Sequence, residues 1–110
     1  MEEGTQLQID RVAGTDGTVL LHLRGELDLA SAGHLKRALA GLPDGATTIV
    51  LELRGLDFMD SSGLAALIAA RNDAVRLRRS FRITGAAGSV RQLLDRTATG
   101  PILETIGPDE

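Results

Sequence analysis

A two-residue period constrains this chain more than any other feature. In residues 18–24, Val19, Leu21 and Leu23 fall on one side, and Leu20, His22 and Arg24 on the other. Residues 47–53 repeat the pattern, with Ile49, Leu51 and Leu53 against Val50, Glu52 and Arg54. Successive side chains point to opposite faces only in an extended strand. A sheet covered by helices on both faces would read as continuous apolar runs, so this alternation predicts a sheet packed mainly on one face. Residues 6–12 alternate as well, and Asp16-Gly17 before the next strand predicts a hairpin turn.

Between the strands the period changes. Over residues 31–42, Leu35, Leu39 and Leu42 recur at spacings of four and three, and Pro43-Asp44-Gly45 stops the run. Over 61–79, Leu64, Leu67, Ile68 and Val75 are read as one stripe, while Ala65, Ala66, Ala69 and Ala70 supply helix propensity. A short strand at 81–84 precedes Gly85-Ala86-Ala87-Gly88, and a third helix at 89–98 carries Val90, Leu93 and Leu94. After Pro101, Ile102, Leu103 and Ile106 suit an edge strand or a packed tail. The predicted order is β-β-α-β-α-β-α with a possible last strand, whose strand–helix alternation implies parallel pairing through right-handed crossovers. No internal repeat, linker or low-complexity stretch divides the 110 residues, a length that suits one α/β domain.

Composition limits the chemistry. Aromatic residues make up 2% of the chain, so the core has to be aliphatic. With no cysteine, disulfides and thiolate chemistry are excluded. A net charge of −3 argues against a nucleic-acid partner, which calls for a basic footprint. The chain opens on acidic Met1-Glu2-Glu3-Gly4, and no stretch approaches the ~18 apolar residues of a membrane span. Neither a secretory signal nor a membrane partner is expected, and the cytoplasm is the default location.

Residues 55–67 are the informative stretch. They follow the carboxyl end of a predicted strand, where open α/β sheets place their ligand sites, and they open a helix. Asp60, Ser61 and Ser62 stand at N-cap and first-turn positions, where side-chain oxygens accept free helical N–H groups. On these grounds alone Asp-Ser-Ser-Gly is simply a cap. The same place would also tolerate a phosphate on Ser61, at the positive end of a helix dipole. Gly63 has no side chain and so leaves room for another molecule at the backbone. Phe58 and Met59 read as a core anchor beneath this loop, with one of them available to a partner.

Other polar residues invite simpler readings. Glu26 and Asp28 project to the same side of an extended segment, and capping by Asp28 or Ser31 explains them more simply than paired-carboxylate catalysis does. His22 and His34 lack metal-ligand spacing, so no metal or other cofactor is predicted. Arg76, Arg78 and Arg79 fall in the last turns of a helix, where cations suit the dipole. Gly85 and Gly88 belong to no phosphate-binding sequence pattern. A Ser61 nucleophile would need a base, yet no Gly-x-Ser-x-Gly elbow is present, so no enzyme is predicted.

Two blocks carry a family likeness. One is Leu23-Arg24-Gly25-Glu26-Leu27-Asp28 with the helix that follows it. The other is residues 49–53 leading into Phe58-Met59-Asp60-Ser61-Ser62-Gly63-Leu64. Together, over nearly the whole chain, they resemble the STAS domain family, which is shared by anti-sigma factor antagonists and the cytoplasmic tails of some anion transporters. The resemblance implies a single STAS domain over residues 1–110, with a core at about 6–106. Its expected form is a mixed, mostly parallel sheet of four to five strands, with an N-terminal hairpin and helices mainly on one face. It implies that Ser61 is a phosphoacceptor and that Asp28, Asp60, Ser61, Ser62 and Gly63 contact a partner, with Glu26 at the border of that face. The implied partners are an anti-sigma factor that is also a serine kinase, and a phosphatase that resets Ser61. A STAS scaffold that does not switch, or a transporter accessory subunit, is the alternative.

Overall fold

In the computed structural model, which describes residues 6–97, the chain runs β1 (Leu7–Ala13), β2 (Thr18–Leu27), α1 (Ala32–Ala40), β3 (Thr48–Met59), α2 (Ser61–Arg76), β4 (Ser80–Thr84) and α3 (Gly88–Arg96). The strands lie in the order β1-β2-β3-β4, with β1 antiparallel to β2 and the other two pairs parallel. Positive φ at both Asp16 (57°) and Gly17 (81°) closes the expected hairpin, since those values match the twist of the flanking strands. The Gly17 carbonyl then accepts the Thr47 amide at 2.8 Å, tying the hairpin to the start of β3. The suggested edge strand at Ile102, Leu103 and Ile106 lies outside the described residues, as does the expected end of the third helix at Ala98.

The period-two reading holds across the sheet. Val19, Ile49 and Phe81 are neighbours in one row, and Leu21, Leu51 and Ile83 in the next, all buried beneath the helices. Full burial of such a side chain contributes roughly 1.5–3 kcal/mol. The opposite face carries the row Val12, Leu20, Val50 and Arg82, followed by Asp10, His22, Glu52 and Thr84. Of these, none is buried, so the helices cover one face.

Two strands run further than periodicity suggested. β2 continues to Leu27 and β3 to Met59, with register shifts between His22 and Arg24 and between Gly25 and Glu26. Extra residues at such irregularities turn the strand, so the buried residues of β3 switch from a spacing of two (Ile49, Leu51, Leu53) to one of three (Leu53, Leu56, Met59). A reading tuned to strict alternation stops at Leu53.

Helix α2 also differs from its expected stripe. Leu64, Leu67, Ala70 and Ala74 face the core, whereas Ile68 and Val75 are 37% and 48% exposed. Of the alanines expected to supply propensity, Ala70 joins Ala74 on the buried face, while Ala65 and Ala69 are exposed. The helix ends at Arg76 instead of Arg79 because Arg78 adopts φ 60°. There the Arg78 amide donates to the Val75 carbonyl at 3.0 Å and the Arg79 amide to that of Ala74 at 2.8 Å. These two bonds make a Schellman cap, with arginine at the left-handed position where glycine is usual.

Candidate functional site

The second half of β3 delivers its last residue, Met59, into the core and leaves Asp60 at the sheet's carboxyl edge. Asp60 is the N-cap of α2. Its backbone is extended (φ −111°, ψ −169°), and its Oδ1 accepts the Gly63 amide at 3.0 Å. The Asp60 carbonyl accepts the Leu64 amide at 2.9 Å, which starts the helical ladder. Ser61 is the first helical residue and is exposed, while Ser62 is half-buried. The Ser61 hydroxyl has no hydrogen-bond partner among the described residues. Asp60 thus holds the helix rather than that hydroxyl.

Gly63 is buried, and a Cβ there would collide with the Leu27 carbonyl and with Met59 Cγ. The sequence suggested that the missing side chain leaves room for an outside molecule. The chain itself takes up that room: the first turn of α2 presses directly on the end of β2. This contact fixes where Ser61 points.

Leu27 and Met59 are partners in the parallel ladder, so Asp28 and Asp60 leave adjacent strand ends. Asp28 is engaged in a closed turn. Its amide donates to Ser31 Oγ at 3.0 Å, its Oδ1 accepts the Ser31 amide at 3.2 Å, and Ser31 Oγ donates to the Glu26 carbonyl at 2.8 Å. Gln6 Nε2 donates to Asp28 Oδ2 at 3.0 Å and approaches Glu26 Oε1 at 3.4 Å. The side-chain cap of α1 expected from the sequence is absent: buried Ser31 occupies the N-cap position, but its hydroxyl turns back to Glu26 and Asp28, and Asp28 holds the Ser31 amide. One carboxylate is largely satisfied within its own turn, and the other caps α2.

Two apolar side chains flank this edge in solvent. Leu29, just past β2, is 78% exposed, and Phe58, near the end of β3, is 43% exposed. Met59 is therefore the core anchor, and Phe58 is available at the surface. Leu29 was missed because it falls in a bend with no periodic signal around it. Ser89 Oγ donates to the Asp57 carbonyl at 3.3 Å, bringing the start of α3 to the same edge.

The remaining sequence candidates lie elsewhere. His22 is on the open sheet face with Nδ1 3.6 Å from Glu52 Oε1, and His34 is exposed on α1. Among the described residues, no group of three or more His, Asp or Glu side chains could hold a metal ion. No helix among them is long and apolar enough to cross a membrane.

Comparison with known proteins gives this arrangement a context. A sequence model of the STAS domain matches residues 11–110. The anti-sigma factor antagonist SpoIIAA in its unphosphorylated form superposes with a TM-score of 0.72 at 25% identity, over 86% of this chain and 84% of that one. The phosphorylated form of SpoIIAA from Bacillus gives a TM-score of 0.67 at 22% identity, over 86% of each chain. A sulfate transporter family protein from Wolinella succinogenes gives 0.71 at 18% identity, over 84% of this chain and 75% of that one. No match to a curated protein sequence was found.

Proposed function

Because the chain belongs to the STAS domain family, we propose that it is an anti-sigma factor antagonist, a cytoplasmic binding module switched by phosphorylation of Ser61. The observation that carries this reading is the exposed hydroxyl of Ser61, without a hydrogen-bond partner among the described residues, at the first position of a capped helix. The likeness to SpoIIAA, known in unphosphorylated and phosphorylated forms, supports it.

The mechanism follows from where the charge would fall. A phosphoserine adds about −1.5 to −2 charge and three strong acceptor oxygens. At Ser61 it lies beside the amides of Ser61 and Ser62, which have no acceptor among the described residues, and at the positive end of the α2 dipole. The antagonist's own fold therefore accommodates it. The cost falls on the complex, where the phosphate has to be desolvated and faces any carboxylate or nucleotide phosphate of the partner. Each ~1.4 kcal/mol weakens binding tenfold, so no refolding is needed for a switch. In this reading the unmodified protein holds an anti-sigma factor kinase through Ser61, Ser62, Asp28 and Asp60, and thereby frees a sigma factor. The kinase supplies ATP and the catalytic base, and a phosphatase resets Ser61. Gly63 serves the interface by seating Ser61.

No catalytic role is assigned to Ser61, because the adjacent carboxylate, Asp60, is committed to the Gly63 amide. The likeness to a sulfate transporter family protein favours one second reading, a STAS accessory domain without a switch. Incubation with ATP and candidate anti-sigma kinases, followed by mass spectrometry, separates the two. Phosphate on Ser61 that is lost in Ser61→Ala supports the antagonist, and absence of phosphate with a kinase that binds the chain supports the accessory domain.

A further inference from the structure

Helices α1 and α2 lie side by side, in contact over part of their length and lining a groove over the rest. α2 offers Ala66, Ala69, Ala70 and Ala74, and α1 offers Ala32, Gly33, Leu35, Leu39 and Ala40. Residues this small allow two helices to approach until their backbones nearly touch. Here they leave a groove of about 590 Å³, floored by Leu35 and Ile49 and within the ~300–1,000 Å³ range of small-molecule sites.

The rim has one sign of charge in excess. Its ionisable residues are Lys36, Asp73, Arg76 and Arg79. Asp73 is paired with Arg76 at 2.9 Å, and Arg79 donates to the neutral Pro43 carbonyl at 3.2 Å. Lys36 is exposed and makes no ion pair or hydrogen bond among the described residues. Among the described residues two positive charges are therefore left without an ion-pair partner over an apolar trough, in a chain whose net charge is −3. The walls contain no aromatic ring to stack on a base or planar ligand. Methyl-lined walls complement a flexible aliphatic chain, and the rim complements an anionic head.

We propose that the groove between α1 and α2 binds a single-chain fatty carboxylate, its tail against the alanine-lined walls and its head at Lys36 and Arg79. The site begins at Ala66, five residues beyond Ser61 on α2, and does not depend on phosphorylation.

The test uses the full chain and dodecanoate below its micelle concentration, followed by calorimetry and amide NMR shifts. Saturable one-site binding is expected, with shifts centred on Lys36, Leu39, Ala66, Ala69 and Ala70. Dodecanol should bind about tenfold more weakly and dodecyltrimethylammonium more weakly still, because only the carboxylate gains from the rim. Lys36→Gln, a surface change, should weaken dodecanoate several-fold and leave dodecanol unchanged. Ala69→Leu keeps helix propensity at an exposed position and fills the groove, so it should abolish binding of both. The proposal is overturned by absence of saturable binding, by equal affinity for dodecanoate and dodecanol, or by shifts centred on the open sheet face. A self-association that Ala69→Leu dissolves would overturn it too, by assigning the groove to a second copy.

Discussion

The carboxylate of Asp60 accepts the amide of Gly63 at 3.0 Å, and this single bond separates the two roles crowded into the start of α2. Asp60 is occupied in holding the helix, and the neighbouring Ser61 hydroxyl has no hydrogen-bond partner among the described residues. Replacing Asp60 by alanine should cost about 1 kcal/mol of stability, the usual loss for an N-cap. Asp60→Ser should recover most of it. Urea unfolding of the three proteins checks the order.

Gly63→Ala tests the close contact between α2 and β2. Alanine is the better helix former by about 1 kcal/mol, so propensity alone predicts a gain. The added Cβ would meet Met59 Cγ at 2.7 Å and the Leu27 carbonyl closer still. Backbone cannot yield as a flexible side chain does, and overpacking of this kind costs about 1–3 kcal/mol. Net destabilisation is expected in urea melts, with amide shift changes at Ser61 and Leu27.

Ser31→Ala addresses the turn that holds Asp28. The buried hydroxyl donates to the Glu26 carbonyl and accepts the Asp28 amide. Removing it leaves both backbone groups without that partner, at a cost of about 1–3 kcal/mol. Ser31→Thr should be milder than Ser31→Ala if the hydroxyl, and not the volume, is what matters. Thermal unfolding distinguishes them.

At Arg78 the expected change is a gain. Its φ of 60° carries the left-handed penalty of about 1 kcal/mol or more for a residue with a Cβ. Arg78→Gly removes that strain and should stabilise the protein by roughly 0.5–1 kcal/mol, while Arg78→Val should destabilise it. Denaturation midpoints for the two variants should move in opposite directions.

Much of this architecture can be read from residue order, and the departures have physical causes. Val19, Leu21, Leu23, Ile49, Leu51 and Leu53 announce a one-faced sheet because pleating ties sequence parity to burial. That tie breaks at the irregularities near Gly25, which is why the continuation of β3 to Met59 escapes a period-two reading. On α2, Ile68 and Val75 look like core residues by hydropathy, yet the inward face of the helix carries Ala70 and Ala74 instead. Asp60 is legible as a cap because capping is local chemistry. The crowding of Gly63 against Leu27 is a contact between residues 36 positions apart, and no local pattern encodes it. Leu29 and the open groove beside α2 depend on how elements meet in space, so they emerge only with the fold.

In the proposed switch, phosphate on Ser61 acts on the complex and leaves the domain intact. The most direct measurement takes one sample of stoichiometrically Ser61-phosphorylated protein and compares it with the unmodified chain, both in thermal unfolding and in binding to the anti-sigma kinase. Nearly the same unfolding temperature is expected in both states, with affinity reduced at least about tenfold by the phosphate. Unchanged affinity, or a loss of affinity matched by loss of the folded state, would contradict it.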